Sequence, residues 1–231
     1  QINIINGDIK ELSLDMKNNY YDTIVSNALS KFSTYDTEEM CSFLSADKLD
    51  FRCLGQKPTI IFVEVSDTDR STENIVNLFF TQAISELCIY ADSFTDGELP
   101  CPVRFMLDDF PSIYIKDIDV AIANIRSRKI SLFLVIQNFA QLKNTYGENA
   151  ETIIDNCDTL IFTGTNSPET ARQIGLRCNK SVETILRMPL NHSWIFRRGS
   201  EPKLTENFNL DIYMQERHPY FFKCNNMVFE K

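Results

Sequence analysis

The chain has 231 residues, 43% hydrophobic and 24% charged, which suits one large soluble domain, or one domain with a small appendage. Its formal net charge of −9 argues against a stand-alone module that holds nucleic acid by electrostatics, since such modules carry a basic excess. No apolar run reaches the roughly 18–20 residues that span a bilayer, and the N-terminus lacks a signal-peptide pattern, so nothing here places the chain in a membrane or outside the cell.

Residues 1–50 read as polar and helical, with two short helices between Ser26 and Leu44, and Gly55 to Pro58 is a turn. Thr59-Ile-Ile-Phe-Val-Glu-Val65 is a short β-branched and aromatic run, the pattern of a strand buried on both faces. A helix follows, capped by Asp69 or Ser71, with Ile75, Leu78, Phe79, Ala83, Leu87 and Tyr90 at helical spacing. Val103–Leu107 is a second strand, and Ile115, Ile118, Ile122 and Ile125 form the stripe of the next helix. Ser131–Ile136 is a third strand, and a helical stretch from Ala140 to Cys157 breaks at Gly147. Thr159–Thr163 is a fourth strand, and Ser167-Pro168 opens a helix running to about Gly175. The tail reads as a β-ribbon turning at Asn191-His192, with a weak pattern beyond Pro202. Strands alternating with helices predict βαβ units around a mostly parallel sheet.

The seven cysteines include no Cys-x-x-Cys pair, and their odd number argues against a complete disulfide framework. They read as small buried thiols in a reducing compartment. With two histidines in the chain, a histidine-based metal site is not expected.

Arg104-Phe-Met-Leu-Asp-Asp-Phe110 sets two carboxylates at the C-terminal end of a strand, the edge at which open α/β sheets bind ligands. Asp108 there can hold Mg²⁺ through water, and Asp109 can orient or deprotonate an attacking water, as phosphoryl transfer requires. Acids after a strand also serve as helix caps, and Asp109 is placed to do so. One strand further, Gln137 is suited to touch a γ-phosphate and the lytic water, or to cap the next helix. Arg126, in Arg126-Ser-Arg128-Lys129, is either an arginine finger for a neighbouring subunit or part of a solvated basic helix end.

The ordered series Phe105–Phe110, Ile122–Arg126, Val135-Ile-Gln-Asn-Phe-Ala-Gln-Leu142, Tyr146-Gly147, Ile154–Cys157 and Thr163–Ala171 resembles the TraG-like coupling-protein ATPases of conjugative type IV secretion. Leu44–Asp50 and Lys57–Val63 add to the resemblance, which covers roughly residues 25–205. It implies a RecA-like three-layer α/β fold with a mostly parallel sheet, preceded by a short helical segment. The divisions it suggests are 1–55, the tail of an all-α insertion; 56–205, the ATPase half with Walker B; and 206–231, a C-terminal extension. It assigns Asp108 and Asp109 to the Walker B pair, Gln137 to the sensor position and Arg126 to the phosphate-contacting arginine.

The activity implied is ATP hydrolysis with Mg²⁺ by a ring-shaped, usually hexameric motor that delivers DNA and its relaxase to the secretion channel, working with relaxosome and channel proteins. The longer parent would be cytoplasmic, anchored in the inner membrane by an N-terminal segment that this chain lacks. Three features depart from the family. Asp109 replaces the usual glutamate and is about 1.5 Å shorter in reach. A family glycine is replaced around Lys129. None of the seven glycines belongs to a Gly-x-x-x-x-Gly-Lys-Ser/Thr loop, so the phosphate cradle is missing. The sequence therefore reads as a fragment that keeps no nucleotide bound by itself. Two other readings stay open: a degenerate, non-hydrolysing docking module for secretion substrates, and an unrelated doubly wound domain whose Asp108-Asp109 pair holds a metal.

Overall fold

The computed structural model describes residues 19–32, 45, 49–65 and 72–217. The chain divides into two compact units: residues 1–105 with 125–131, and residues 106–124 with 132–231.

The first unit contains helix α1 (Asn19–Phe32), a 3₁₀ turn over Phe51–Gly55 and the long helix α2 (Glu73–Asp92). The predicted helical character near the N-terminus is present in α1; the expected second helix falls on 33–44, outside the described residues. α2 forms because apolar residues recur every three or four positions, so that Phe80, Ala83, Ile84, Leu87 and Ala91 line one buried stripe. Its N-cap is Thr72, without a side-chain cap bond; the proposed caps Asp69 and Ser71 lie outside the described residues. Gly55 packs where a β-carbon would sit 2.8 Å from Leu99 Cδ2. Arg128 grips Asp92 at the end of α2 with two guanidinium nitrogens, its Nε donating at 2.9 Å and its Nη2 at 3.0 Å.

The segment Thr59–Val65 is not a strand. It runs irregularly and exposed, with Ile60 79% and Phe62 92% accessible and Ile61 and Val63 41%. Its composition suits a buried strand, but a strand also needs neighbours for its N–H and C=O groups, and among the described residues none pairs with it.

Strands β1 (Val103–Leu107) and β2 (Ile130–Leu134) are hydrogen-bonded neighbours that carry residues of both units. Val103 N donates to Lys129 O and Val135 N donates to Leu107 O, so both strands advance in the same direction, as the sequence predicts. On β1, Phe105 and Leu107 are buried while Arg104 and Met106 face out.

The second unit follows with α3 (Ile118–Asn124), α4 (Phe139–Tyr146), α5 (Asn149–Asn156), β3 (Thr159–Phe162), α6 (Pro168–Cys178), α7 (Val182–Leu186), β4 (His192–Arg197), β5 (Lys203–Glu206) and α8 (Leu210–Arg217). The predicted isoleucine stripe is present, although Ile115 precedes α3 in a loop and Ile125 lies in a 3₁₀ turn. The break between α4 and α5 falls at Gly147, whose φ of 59° suits glycine. Ser167 caps α6 by accepting from Thr170 N. The ribbon is displaced from its predicted place. Asn191-His192 leads from α7 into β4, and β4 pairs antiparallel with β5 around Arg198–Pro202, with Ile195 opposite Lys203. β4 also pairs antiparallel with β3, with Phe162 opposite Trp194. Phe162, Ala171, Ile174, Ile185, Trp194 and Phe196 form one core, against which Phe139 and Met188 pack.

Candidate functional site

The site begins where β1 ends. Val135 N donates to Leu107 O at 3.0 Å, and Phe110 N donates to Val135 O at 2.9 Å. Two backbone bonds thus bracket Asp108 and Asp109 and hold them beside the end of β2. Asp108 Oδ1 accepts from the amide of Asp109 at 3.0 Å, which folds its side chain over the turn. Asp109 then adopts a left-handed backbone, φ 48° and ψ 47°. For an L-residue this conformation costs roughly 1–2 kcal/mol, less for aspartate, which tolerates it better than most.

Asp109 stands at the head of the 3₁₀ turn Phe110–Ser112 but makes no side-chain cap there. Its carboxylate instead accepts from Gln137 Nε2 at 3.4 Å. Gln137 does not cap the next helix either. Asn138 does, with its Oδ1 accepting from Gln141 N at 2.9 Å. Both acids and Gln137 are solvent-exposed. The structure therefore brings Asp108, Asp109 and Gln137 together at one pair of strand ends.

Arg126 belongs to the other unit. It is exposed in the 3₁₀ turn Ile125–Arg128 and forms no ion pair with a described residue. Lys129, where the family glycine is replaced, has φ 59°, the left-handed region that glycine favours. Its ammonium pairs with Glu98 at 2.7 Å.

Three residues that the sequence left without a role support the site or the loop after Asp109. Thr145 Oγ1 donates to Pro111 O at 2.7 Å, and Tyr146 Oη donates to Ile113 O at 2.6 Å while accepting from Ile115 N at 3.2 Å. The Tyr146 ring stacks on Phe110, with centroids 5.0 Å apart. Burial pushes its phenol pKa up to about 12. Gln141 is the third, its Nε2 donating to Gln137 Oε1 at 3.4 Å. The signal for Gln141 was the Gln-x-x-x-Gln spacing, which sets Gln141 in the first turn of α4 and Gln137 just ahead of its Asn138 cap. Tyr146 stood in the motif series as Tyr146-Gly147 with no role attached, and nothing local announced Thr145.

Exposed carboxylate oxygens are the donor set Mg²⁺ takes, since that ion keeps most of its water and needs one or two protein oxygens. Among the described residues no group of three or more His, Cys, Asp or Glu side chains is arranged to cage a metal. The described cysteines are half-buried rather than buried as the sequence suggested, and partial burial pushes the thiols of Cys88, Cys157 and Cys178 up. No helix among the described residues is long and apolar enough to cross a membrane.

Among solved structures, the chain is similar to the trigonal form of the bacterial conjugative coupling protein TrwBdeltaN70 in complex with sulphate. The TM-score is 0.68 and the identity 13%, over 84% of this chain and 51% of that one. It is also similar to the plasmid coupling protein TrwB in complex with the non-hydrolysable ATP analogue ADPNP. There the TM-score is 0.50 and the identity 14%, over 60% of this chain and 38% of that one. The chain thus spans about half the length, or less, of the coupling proteins it matches. Comparison with curated proteins finds no match. The likeness gives the fold: α/β, RecA-like, with a short helical segment in front. Residues 9–183, about three quarters of the chain, match the family described as Type IV secretory system Conjugative DNA transfer, and the chain belongs to that family.

Proposed function

We propose that this chain is the Walker B half of a conjugative coupling ATPase, a motor that hydrolyses ATP to recruit DNA with its relaxase and pass them to a type IV secretion channel. The observation that carries the reading is the contact between Asp109 and Gln137 at adjacent strand ends, made while other residues or none do the helix capping. Asp108 is the residue to hold Mg²⁺ through water. Mg²⁺, when bound, supplies charge neutralisation at the phosphates. Asp109 orients or deprotonates the attacking water, and Gln137 holds that water with its amide. Arg126, with no ion pair of its own among the described residues, is available to a phosphate in a neighbouring subunit of a hexamer. The domain roles follow: 1–55 as the end of an all-α insertion, 56–205 as the ATPase half and 206–231 as an extension.

The sequence holds no phosphate-binding loop, so a loop outside it has to complete the site. Isothermal calorimetry on this chain should therefore show no micromolar ATP binding; micromolar affinity would remove the argument. In the full-length protein, Asp108→Ala and Gln137→Ala should abolish ATP turnover with the fold retained by circular dichroism. Wild-type turnover in both variants would refute the assignment.

A second reading is a non-hydrolysing module that docks secretion substrates. The net charge of −9 and the short acid at 109 favour it. It requires that the wild-type full-length protein turn over no ATP.

A further inference from the structure

We infer that Gln141 is a positioning residue that fixes which end of the Gln137 amide faces Asp109. The inference rests on the ATP-site reading above. A carboxylate only accepts hydrogen bonds, so the group Asp109 presents to Gln137 dictates the order of the chain of contacts. Gln137 must turn its Nε2 toward Asp109, 3.4 Å away, and its Oε1 the other way. That oxygen receives Gln141 Nε2, also at 3.4 Å. Donation runs in one direction, from Gln141 to Gln137 to Asp109. Reversing the Gln137 amide would set oxygen against carboxylate at one end and NH₂ against NH₂ at the other.

The remaining end of Gln141 brings no hydrogen bond that would stabilise the arrangement. Its Oε1 is buried and has no hydrogen-bond partner among the described residues. A buried polar atom without a partner is destabilising, and native structures carry few of them. Gln141 sits in the first turn of α4, its own amide held by the Asn138 cap, so its side chain starts from a fixed point. An apolar side chain of the same length would remove the orphaned oxygen and lose only the contact to Gln137. A residue kept for packing would be better as methionine; one kept to orient Gln137 would not.

The two roles therefore predict opposite outcomes for Gln141→Met in the full-length protein. The expected result is a thermal midpoint equal to or above wild type, an ATP KM within about two-fold, and a kcat lowered by about ten-fold, the scale of a misaligned reacting group. Gln141→Glu places an acceptor where a donor is needed, so it should lower kcat further than Gln141→Met. Wild-type kcat in a folded Gln141→Met, or in a folded Gln141→Glu, would overturn the inference. If Gln141→Met does not fold, Gln141→Leu takes its place under the same criteria. Wild-type turnover in Gln137→Ala is a different failure: it removes the site reading itself, whatever Gln141 does.

Discussion

Two residues at the site can be separated by what they risk. Asp109 combines a left-handed backbone with a carboxylate that caps nothing. Asparagine tolerates the same backbone region and keeps the size, so Asp109→Asn should leave stability within about 0.5 kcal/mol of wild type. The same change keeps an Oδ1 that can accept from Gln137 but removes the charge and any basic group for water, and turnover should fall about 100-fold or more. Urea titration and steady-state kinetics on one preparation read both quantities. Tyr146 risks stability instead. Its folded pKa is raised from 10.0 to about 12 by burial. Above pH 10 the unfolded chain loses this proton while the folded chain keeps it, so the unfolded state binds fewer protons and stability falls as pH rises. The contribution is fully present below pH 10 and is lost through the window from pH 10 to 12. Urea midpoints at pH 9 and pH 11.5 should differ for wild type and differ less for Tyr146→Phe, which keeps the ring stack on Phe110.

At the scale of elements, α6 packs closely against the turn leading into α7. A β-carbon at Gly175 would lie 2.7 Å from Lys180 O, a backbone atom that cannot swing away. Lys180 N also donates to Gly175 O at 2.9 Å, which holds the two segments at that separation. Gly175→Ala should cost about 2 kcal/mol, or roughly 4–8 °C in midpoint, and a midpoint within 1 °C would show that the turn relaxes freely. The sequence exposed some of these elements and hid others for physical reasons. β1, β3, α2 and the break at Gly147 are written in local composition, so they could be read directly. Thr59–Val65 has the same apolar composition as β1, but pairing is a property of the partner strand and is not written in the run itself. The ribbon was misplaced because Asn191 does turn the chain, with φ 59°, while the hairpin turn proper uses Gly199, with φ 74°. At the site, composition showed which residues carry oxygen and nitrogen donors. Whether Asp109 and Gln137 cap helices depended on Asn138 and on a backbone angle, and the Thr145 and Tyr146 contacts join residues more than thirty positions apart.

For the whole molecule, the run Ile60–Val63 presents four consecutive exposed apolar side chains. Ile60 and Phe62 stand open on a segment that no strand pairs with among the described residues, a template for pairing with another chain. This chain alone should self-associate with rising concentration, and Ile60→Lys with Phe62→Lys should suppress it. Sedimentation velocity at several loading concentrations measures this; a concentration-independent wild type would show that the run does not attract itself.

The core beneath β4 also makes the protein its own spectroscopic instrument. Trp194 is the single tryptophan of the chain, 9% accessible and stacked near Phe196 with centroids 6.2 Å apart. Its emission should be blue-shifted in the native state and shift red when the layer formed by β3, β4 and β5 opens. Far-ultraviolet ellipticity, by contrast, weighs α2 in the first unit together with the helices of the second. Melting followed by both signals separates the loss of the three-stranded layer from the loss of helix elsewhere, with no label added.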